Sequence, residues 1–170
     1  IPGSVMWIDN PWQTAYNNFV IDEQRFAGID AAIASLTANG YKVLFWSTPY
    51  VGKSPLSAAD RTEGIAADYF VTNENGMPFD WPWQNGPGLL VDFTREGAIA
   101  WWRQRIDRVV SRGADGFKLD FGEELVPDLG GNIVQFLLAE GDNSAHHNRY
   151  SQGYHEAYLG ALPLGDGFLI

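Results

Sequence analysis

Residues 115–123 read Asp-Gly-Phe-Lys-Leu-Asp-Phe-Gly-Glu, and the parity of this stretch constrains the fold more than anything else in the chain. Alternate side chains of a strand point to opposite faces. Phe117, Leu119 and Phe121 are therefore expected on one face, and Gly116, Lys118 and Asp120 on the other. A strand this apolar on one side belongs in a buried parallel sheet, whose two faces normally both read as hydrophobic. A lysine and a carboxylate two residues apart on the second face carry a large desolvation cost unless they are paired or open to a cavity. The pattern predicts a polar pocket at the carboxyl end of a core strand, where α/β enzymes keep their catalytic groups.

The elements around this strand predict a parallel sheet. Val5–Asp9 is a short apolar run ending in an acid, stopped by Asn10-Pro11. Ile29, Ala32, Ile33 and Leu36 fall at helical spacing over 29–38, and Asn39-Gly40 supplies the stop. Lys42–Thr48 reads as a second strand broken by Pro49, and residues 50–92 as a long Gly-, Pro- and Trp-rich excursion without clear period. Loops this long inside a compact domain are usually functional. Glu96–Arg112 is predicted helical, with Ile99, Trp102, Ile106 and Val109 on one stripe and Gly113 after it.

Beyond the Lys118/Asp120 strand comes a Gly/Asp-rich loop over about 122–145, with an apolar run at 133–139. A helix is then expected over 147–162, with Tyr150, Tyr154, Tyr158 and Ala161 on one side, and a further strand begins at 167–170. Strands alternating with helices imply right-handed βαβ units around a parallel sheet, with no sequence repeat. The fold class is α/β. Four strands with their crossovers make about half of an eight-stranded barrel, which typically needs about 250 residues.

Composition narrows the function. The 170 residues carry a net charge of −10, which argues against nucleic acid and anionic membranes as partners. No run approaches the ~18 apolar residues of a membrane span. With no cysteine, disulfides, thiol chemistry and Cys-type zinc sites are excluded. Aromatic residues make up 14%, with seven Trp, and such planar amphipathic side chains suit the apolar faces of sugar rings. The chain opens on Ile1-Pro2-Gly3 and ends on Gly-Phe-Leu-Ile at 167–170, a run that reads as the inside of a strand, so the expectation is an excerpt of a longer protein.

Asp120 is the leading chemical candidate, as a nucleophile, a general base or a metal ligand. Lys118 on the same face lowers a carboxylate pKa and keeps it ionised, the state a nucleophile requires. The alternative is a structural Lys–Asp pair. Asp9 ends its strand in the same way and shares a face with Trp7 and Val5, although a strand-end acid is also a common cap or turn former. Trp46 lies two residues before Thr48 and alone reads as core packing. Glu123 and Glu124 read as solvated acids, and His146, His147 and Asn148 sit at a helix entrance. No acid cluster with metal-ligand spacing accompanies these histidines, so no metal site is expected.

The stretch Gly116–Glu123 resembles the nucleophile motif of glycoside hydrolase family 31, the α-glucosidase and α-xylosidase family. Val5–Asp9 resembles that family's strand ending in a sugar-binding aspartate, and Phe19–Phe26 with the following helix resembles its next segment. Leu44–Gly52 is similar to the strand bearing a substrate-lining Trp. Trp83, Gly88 and Val91-Asp92-Phe93-Thr94 resemble its Trp-containing loop and the start of the next helix, and Trp101-Trp102 and His147-Asn148-x-Tyr150 also fit.

The resemblance implies part of a TIM barrel, roughly its second to fifth strands. It implies a retaining α-glycosidase that acts on α-glucosides or α-xylosides through a covalent intermediate, with Asp120 as nucleophile. Asp9 would bind sugar hydroxyls, Trp46 and Trp83 would line the cleavage subsite, Lys118 would support the nucleophile, and His147 would lie near the substrate. No cofactor or metal is implied. The general acid would lie beyond Ile170, so the remainder of the parent chain would be required and the excerpt alone would be inactive. The loop over 124–145 follows no pattern of the family. Two other readings stay open: a clan-related α-galactosidase with its own Lys-x-Asp nucleophile, and a non-catalytic carbohydrate-binding barrel that lacks the acid.

Overall fold

A computed structural model describes residues 3–73, 75–83, 86–123, 134–135, 143–163, 165 and 167–170, with backbone only at 134–135, 143–147 and 168. Its elements in chain order are β1 (Val5–Ile8), α1 (Ile29–Ala38), β2 (Lys42–Ser47), β3 (Tyr50–Gly52), α2 (Ala58–Ala66), β4 (Thr72–Asn73) and β5 (Asp80–Trp83). There follow β6 (Gly86–Leu90), α3 (Glu96–Val110), β7 (Gly116–Leu119), β8 (Val134–Gln135), α4 (Asn143–Leu159) and β9 (Phe168–Leu169).

Four strands form one parallel sheet in the order β1-β2-β7-β9, which is also their order in the chain. Among the described residues β1 and β9 are its outer strands. The predicted alternation of strands and helices is thus present, and α1 occupies the predicted range. Gly40, at φ 82°, accepts the left-handed conformation that ends this helix, with the Tyr41 amide reaching back to the Leu36 carbonyl.

The helical side of the sheet holds the core. Val43, Phe45 and Phe117 are fully buried there with Ile29 and Ile33 of α1. The Phe117 ring meets Tyr158 of α4 edge-on at 5.0 Å, and Trp12 meets Phe45 at 4.8 Å. Burying side chains of this size is worth about 1.5–3 kcal/mol each. Three helix boundaries move slightly: α3 stops at Val110, and α4 begins at Asn143 and ends at Leu159. The buried residues of α3 are Ala98, Trp101, Trp102, Arg105, Ile106 and Val109, whereas Ile99 is only partly buried.

The excursion over 50–92 is not structureless. It contains α2 and an antiparallel sheet in the order β3-β6-β5, with Tyr50 opposite Leu90 and Trp81 opposite Gly88. Of the expected loop over 122–145, residues 124–133 and 136–142 lie outside the described residues, and Val134–Gln135 pairs with Thr72–Asn73.

A candidate active site around Asp120

The second face of the sheet carries the polar groups, as parity requires. The register pairs Trp46 with Lys118 and Leu44 with Gly116, so Leu44, Trp46, Lys118 and Asp120 project from the same side of β2 and β7. One step past the last β1 pair, Ile8 with Phe45, Asp9 falls level with Trp46.

Asp120 follows the last residue of β7, and its amide donates to the Ser47 carbonyl at 2.9 Å, which continues the ladder one step beyond the strand. Two side chains converge on its Oδ2: Lys118 Nζ donates at 2.8 Å and Trp46 Nε1 at 2.9 Å. Partial burial pushes the Asp120 pKa up, but the hydrogen bonds from Lys118 and Trp46, the Lys118 charge and the Phe121 amide outweigh it. The carboxyl is held below its ordinary value. Its side chain keeps 40% of its surface exposed and Lys118 keeps 29%, so the pair is open to solvent rather than sealed in the core.

Trp46 is only 3% exposed, and its orientation is set by other aromatic rings. Trp83 lies near-parallel to it at 6.3 Å, and Tyr16 meets it edge-on at 6.4 Å. Trp83 is itself stacked on Tyr50 at 5.1 Å and met edge-on by Tyr16 and by Phe121, the latter at 5.5 Å. Gly88 allows this packing, since a Cβ there would lie 3.1 Å from Trp83 Nε1 and 3.0 Å from Tyr50 Cβ. Trp83 therefore reaches Asp120 through Trp46, with 7% of its own surface exposed.

Phe121 departs from the expected parity. It does not continue the outer face with Phe117 and Leu119, because β7 ends at Leu119 and Phe121 takes a left-handed backbone at φ 61°. This swings its ring onto Trp83, on the side of the polar groups. Such a conformation in a non-glycine residue costs of order 1–3 kcal/mol and persists only where its surroundings hold it.

Asp9 is exposed. Its Oδ2 accepts from Trp7 Nε1 at 3.1 Å, which shows that these two side chains share a face, and its Oδ1 accepts from the Asn10 amide at 2.7 Å. Asn10 Nδ2 in turn donates to the Tyr16 hydroxyl at 3.2 Å, linking the end of β1 to the aromatic cluster. His147 lies within α4, but its side chain is outside the described residues, as are all of His146 beyond its backbone and Glu124. Glu123 is exposed. Among the described residues no three His, Asp or Glu side chains gather in a way that could hold a metal ion. No described helix is long and apolar enough to cross a membrane.

Further contributors lie outside the expected site residues, and one of them, Asn17, has no local sequence signature. Asn17, buried and at φ 54°, fastens the loop after β1 to the end of β2. Its Nδ2 donates to Thr48 Oγ1 at 2.6 Å and to the Tyr50 carbonyl, while its Oδ1 accepts from the Thr48 amide and Ser47 Oγ. The tyrosine stripe of α4 secures the same strand end. Tyr154 donates to the Ser47 carbonyl at 3.2 Å, and the Tyr158 hydroxyl lies 2.6 Å from Ser47 Oγ. Burial raises the pKa of both phenols, so they act as neutral donors.

Residues 1–165 match the Glycosyl hydrolases family 31 TIM-barrel domain. The chain belongs to glycosyl hydrolase family 31. It is 32% identical over 162 residues to the α-xylosidase XylQ of Lactiplantibacillus pentosus, covering 92% of this chain and 20% of that relative. It is 34% identical over 129 residues to an α-xylosidase of Emericella nidulans, covering 74% of this chain and 16% of the relative. The chain thus spans a fifth or less of the curated family 31 relatives it matches. In fold it is similar to the cycloalternan-degrading enzyme of Trueperella pyogenes, solved in complex with a covalent intermediate. There the TM-score is 0.79 at 21% identity, covering 95% of this chain and 25% of that one.

Proposed function

We propose that these residues are the nucleophile-bearing part of a family 31 TIM barrel, roughly its second to fifth strands, in a retaining α-glycosidase of α-xylosides or α-glucosides. The observation that carries the reading is the convergence of Lys118 Nζ and Trp46 Nε1 on one oxygen of Asp120, with the carboxyl held ionised. A structural ion pair would be satisfied by the lysine alone, whereas two donors on one oxygen hold the carboxylate in one orientation.

Retaining glycosidases place two carboxyl groups about 5–5.5 Å apart, one ionised and one protonated. In this reading Asp120 attacks the anomeric carbon through Oδ1, the oxygen on which neither side chain converges. The bond to the leaving oxygen breaks as an acid from outside these residues protonates it. Water, activated by the same group, then releases the sugar from Asp120. Lys118 and Trp46 restrain Oδ2 throughout and stabilise the charge that returns to the carboxylate when the glycosyl ester is hydrolysed. Asp9, level with Trp46, would bind ring hydroxyls; Trp46 would present an indole edge to the sugar with Trp83 behind it, and His147 would approach from the loop before it. The two α-xylosidases among the relatives support an α-xyloside as the first substrate to try.

The test is to treat the full-length protein with a 2-deoxy-2-fluoro-α-xylosyl or 5-fluoro-α-glycosyl fluoride and map the labelled peptide. Labelling at Asp120, and loss of turnover in Asp120→Ala with the fold retained, are expected. A label on any other carboxylate removes Asp120 from the nucleophile role.

A further inference from the structure

Asp120 and Trp46 are joined by a second route that does not run through their shared hydrogen bond. Phe121, next in the chain to Asp120, meets Trp83 edge-on at 5.5 Å with planes 81° apart, and Trp83 lies near-parallel to Trp46. Trp46 closes the circuit by donating to Asp120 Oδ2. The ring arrives there only because Phe121 adopts φ 61°, with Gly122 at φ 99° after it. An L-residue with a bulky side chain seldom adopts such a backbone. Had β7 run on in extended form, the same ring would have joined Phe117 on the helical face.

We propose that Phe121 is a positioning residue for Asp120, its left-handed turn placing its ring where it fixes Trp83 and Trp46 so that the indole N–H stays on Oδ2. The inference rests on Asp120 being the nucleophile. It assigns to Phe121 no contact with substrate; it acts on the orientation of the attacking group. Misplacement of a reacting group by about 1 Å can cost on the order of 10²-fold in rate. The effect therefore belongs in kcat rather than in KM. Loosening the donors also lifts the Asp120 pKa, so the acid limb of kcat/KM moves to higher pH.

The experiment compares wild type, Phe121→Leu and Phe121→Tyr in the full-length protein with an aryl α-xyloside, alone and in a Trp46→Phe background. Phe121→Leu is expected to lower kcat by about ten- to a hundred-fold with KM within about twofold, and to shift the acid limb upward. Phe121→Tyr, which restores the ring, recovers most of the lost kcat. In the Trp46→Phe background the ring effect shrinks, since its target is gone. A merely structural role would lower the amount of folded protein and leave the acid limb of the folded fraction unmoved, and that result overturns the proposal. So does a loss confined to KM, or an undiminished effect in the Trp46→Phe background. Where Phe121→Leu does not fold, Gly88→Ala displaces the same Trp83 from another neighbour, and an unmoved acid limb there is equally decisive. Fluoroglycoside labelling separates the two readings. A label away from Asp120 defeats the nucleophile assignment, whereas a label on Asp120 with unshifted Phe121 and Gly88 variants defeats only this inference.

Discussion

Replacing Trp46 with Phe removes the indole N–H from Asp120 while keeping an aromatic ring against Tyr16 and Trp83. A hydrogen bond to a charged group is worth about 1.5–3 kcal/mol, which corresponds to roughly ten- to 150-fold in rate. The Asp120 side chain keeps 40% of its surface exposed, and solvent screening moves the expectation to the lower end, about tenfold in kcat/KM. The sign of the pH effect follows from the depressed carboxyl. A group whose pKa is lowered by folding contributes stability above its unfolded pKa, and loses it as pH falls through the folded value. Part of the lowering comes from Trp46, so Trp46→Phe raises the folded pKa. The stability deficit of the variant is then largest at neutral pH and narrows in acid, and the acid limb of kcat/KM moves up. Urea melts at several pH values with parallel pH–rate profiles measure both in the full-length protein. A deficit that is the same at every pH, with an unmoved acid limb, would refute the role of the indole N–H and leave only the smaller ring as the cause.

Asn17→Ala strands the Thr48 amide, and an unsatisfied buried group costs about 1–3 kcal/mol; urea denaturation should show the loss, and a midpoint unchanged from wild type would discount the clip. Arg105 is buried between Asp60, Glu63 and the Trp101 ring; Arg105→Met removes its bond to Asp60, which keeps Arg108, and should destabilise by about 1.5–3 kcal/mol; a melt within error of wild type would contradict this. Residues 1–170 purified alone should not hydrolyse aryl α-glucosides or α-xylosides, because general acid help is worth about 10²–10⁴-fold; clear turnover that disappears on Glu123→Gln would show an acid within the segment.

Much of the site is legible from spacing because strand parity is a local rule. Lys118 and Asp120 fall together by counting, and Trp46 joins them once β2 and β7 are neighbours in register. Parity fails one residue beyond Asp120, where the strand has ended and Phe121 turns left-handed. The antiparallel sheet of the excursion is hidden for a different reason. Its strands are too short to show a period, and β5 and β6 place Pro82 opposite Pro87, residues that normally read as breakers. Both prolines are exposed near the hairpin end, where the missing N–H groups are tolerated. Asn17 and Tyr16 act through partners distant in sequence, and no local pattern marks them.

Trp46 and Asp120 stand 74 residues apart in sequence, and the segment between them forms its own three-stranded sheet. Bringing distant strands together slows folding more than it weakens the finished structure, since loop-closure entropy grows only logarithmically with length. A segment that folds locally draws the ends of that loop together before β2 and β7 meet. The 50–92 segment thereby governs how quickly the carboxylate acquires its partners as well as what stands behind Trp46. Substitutions there that leave Trp83 and the rings packed on it in place should appear as a lag in the recovery of activity after refolding, in molecules whose final pH profile is unchanged.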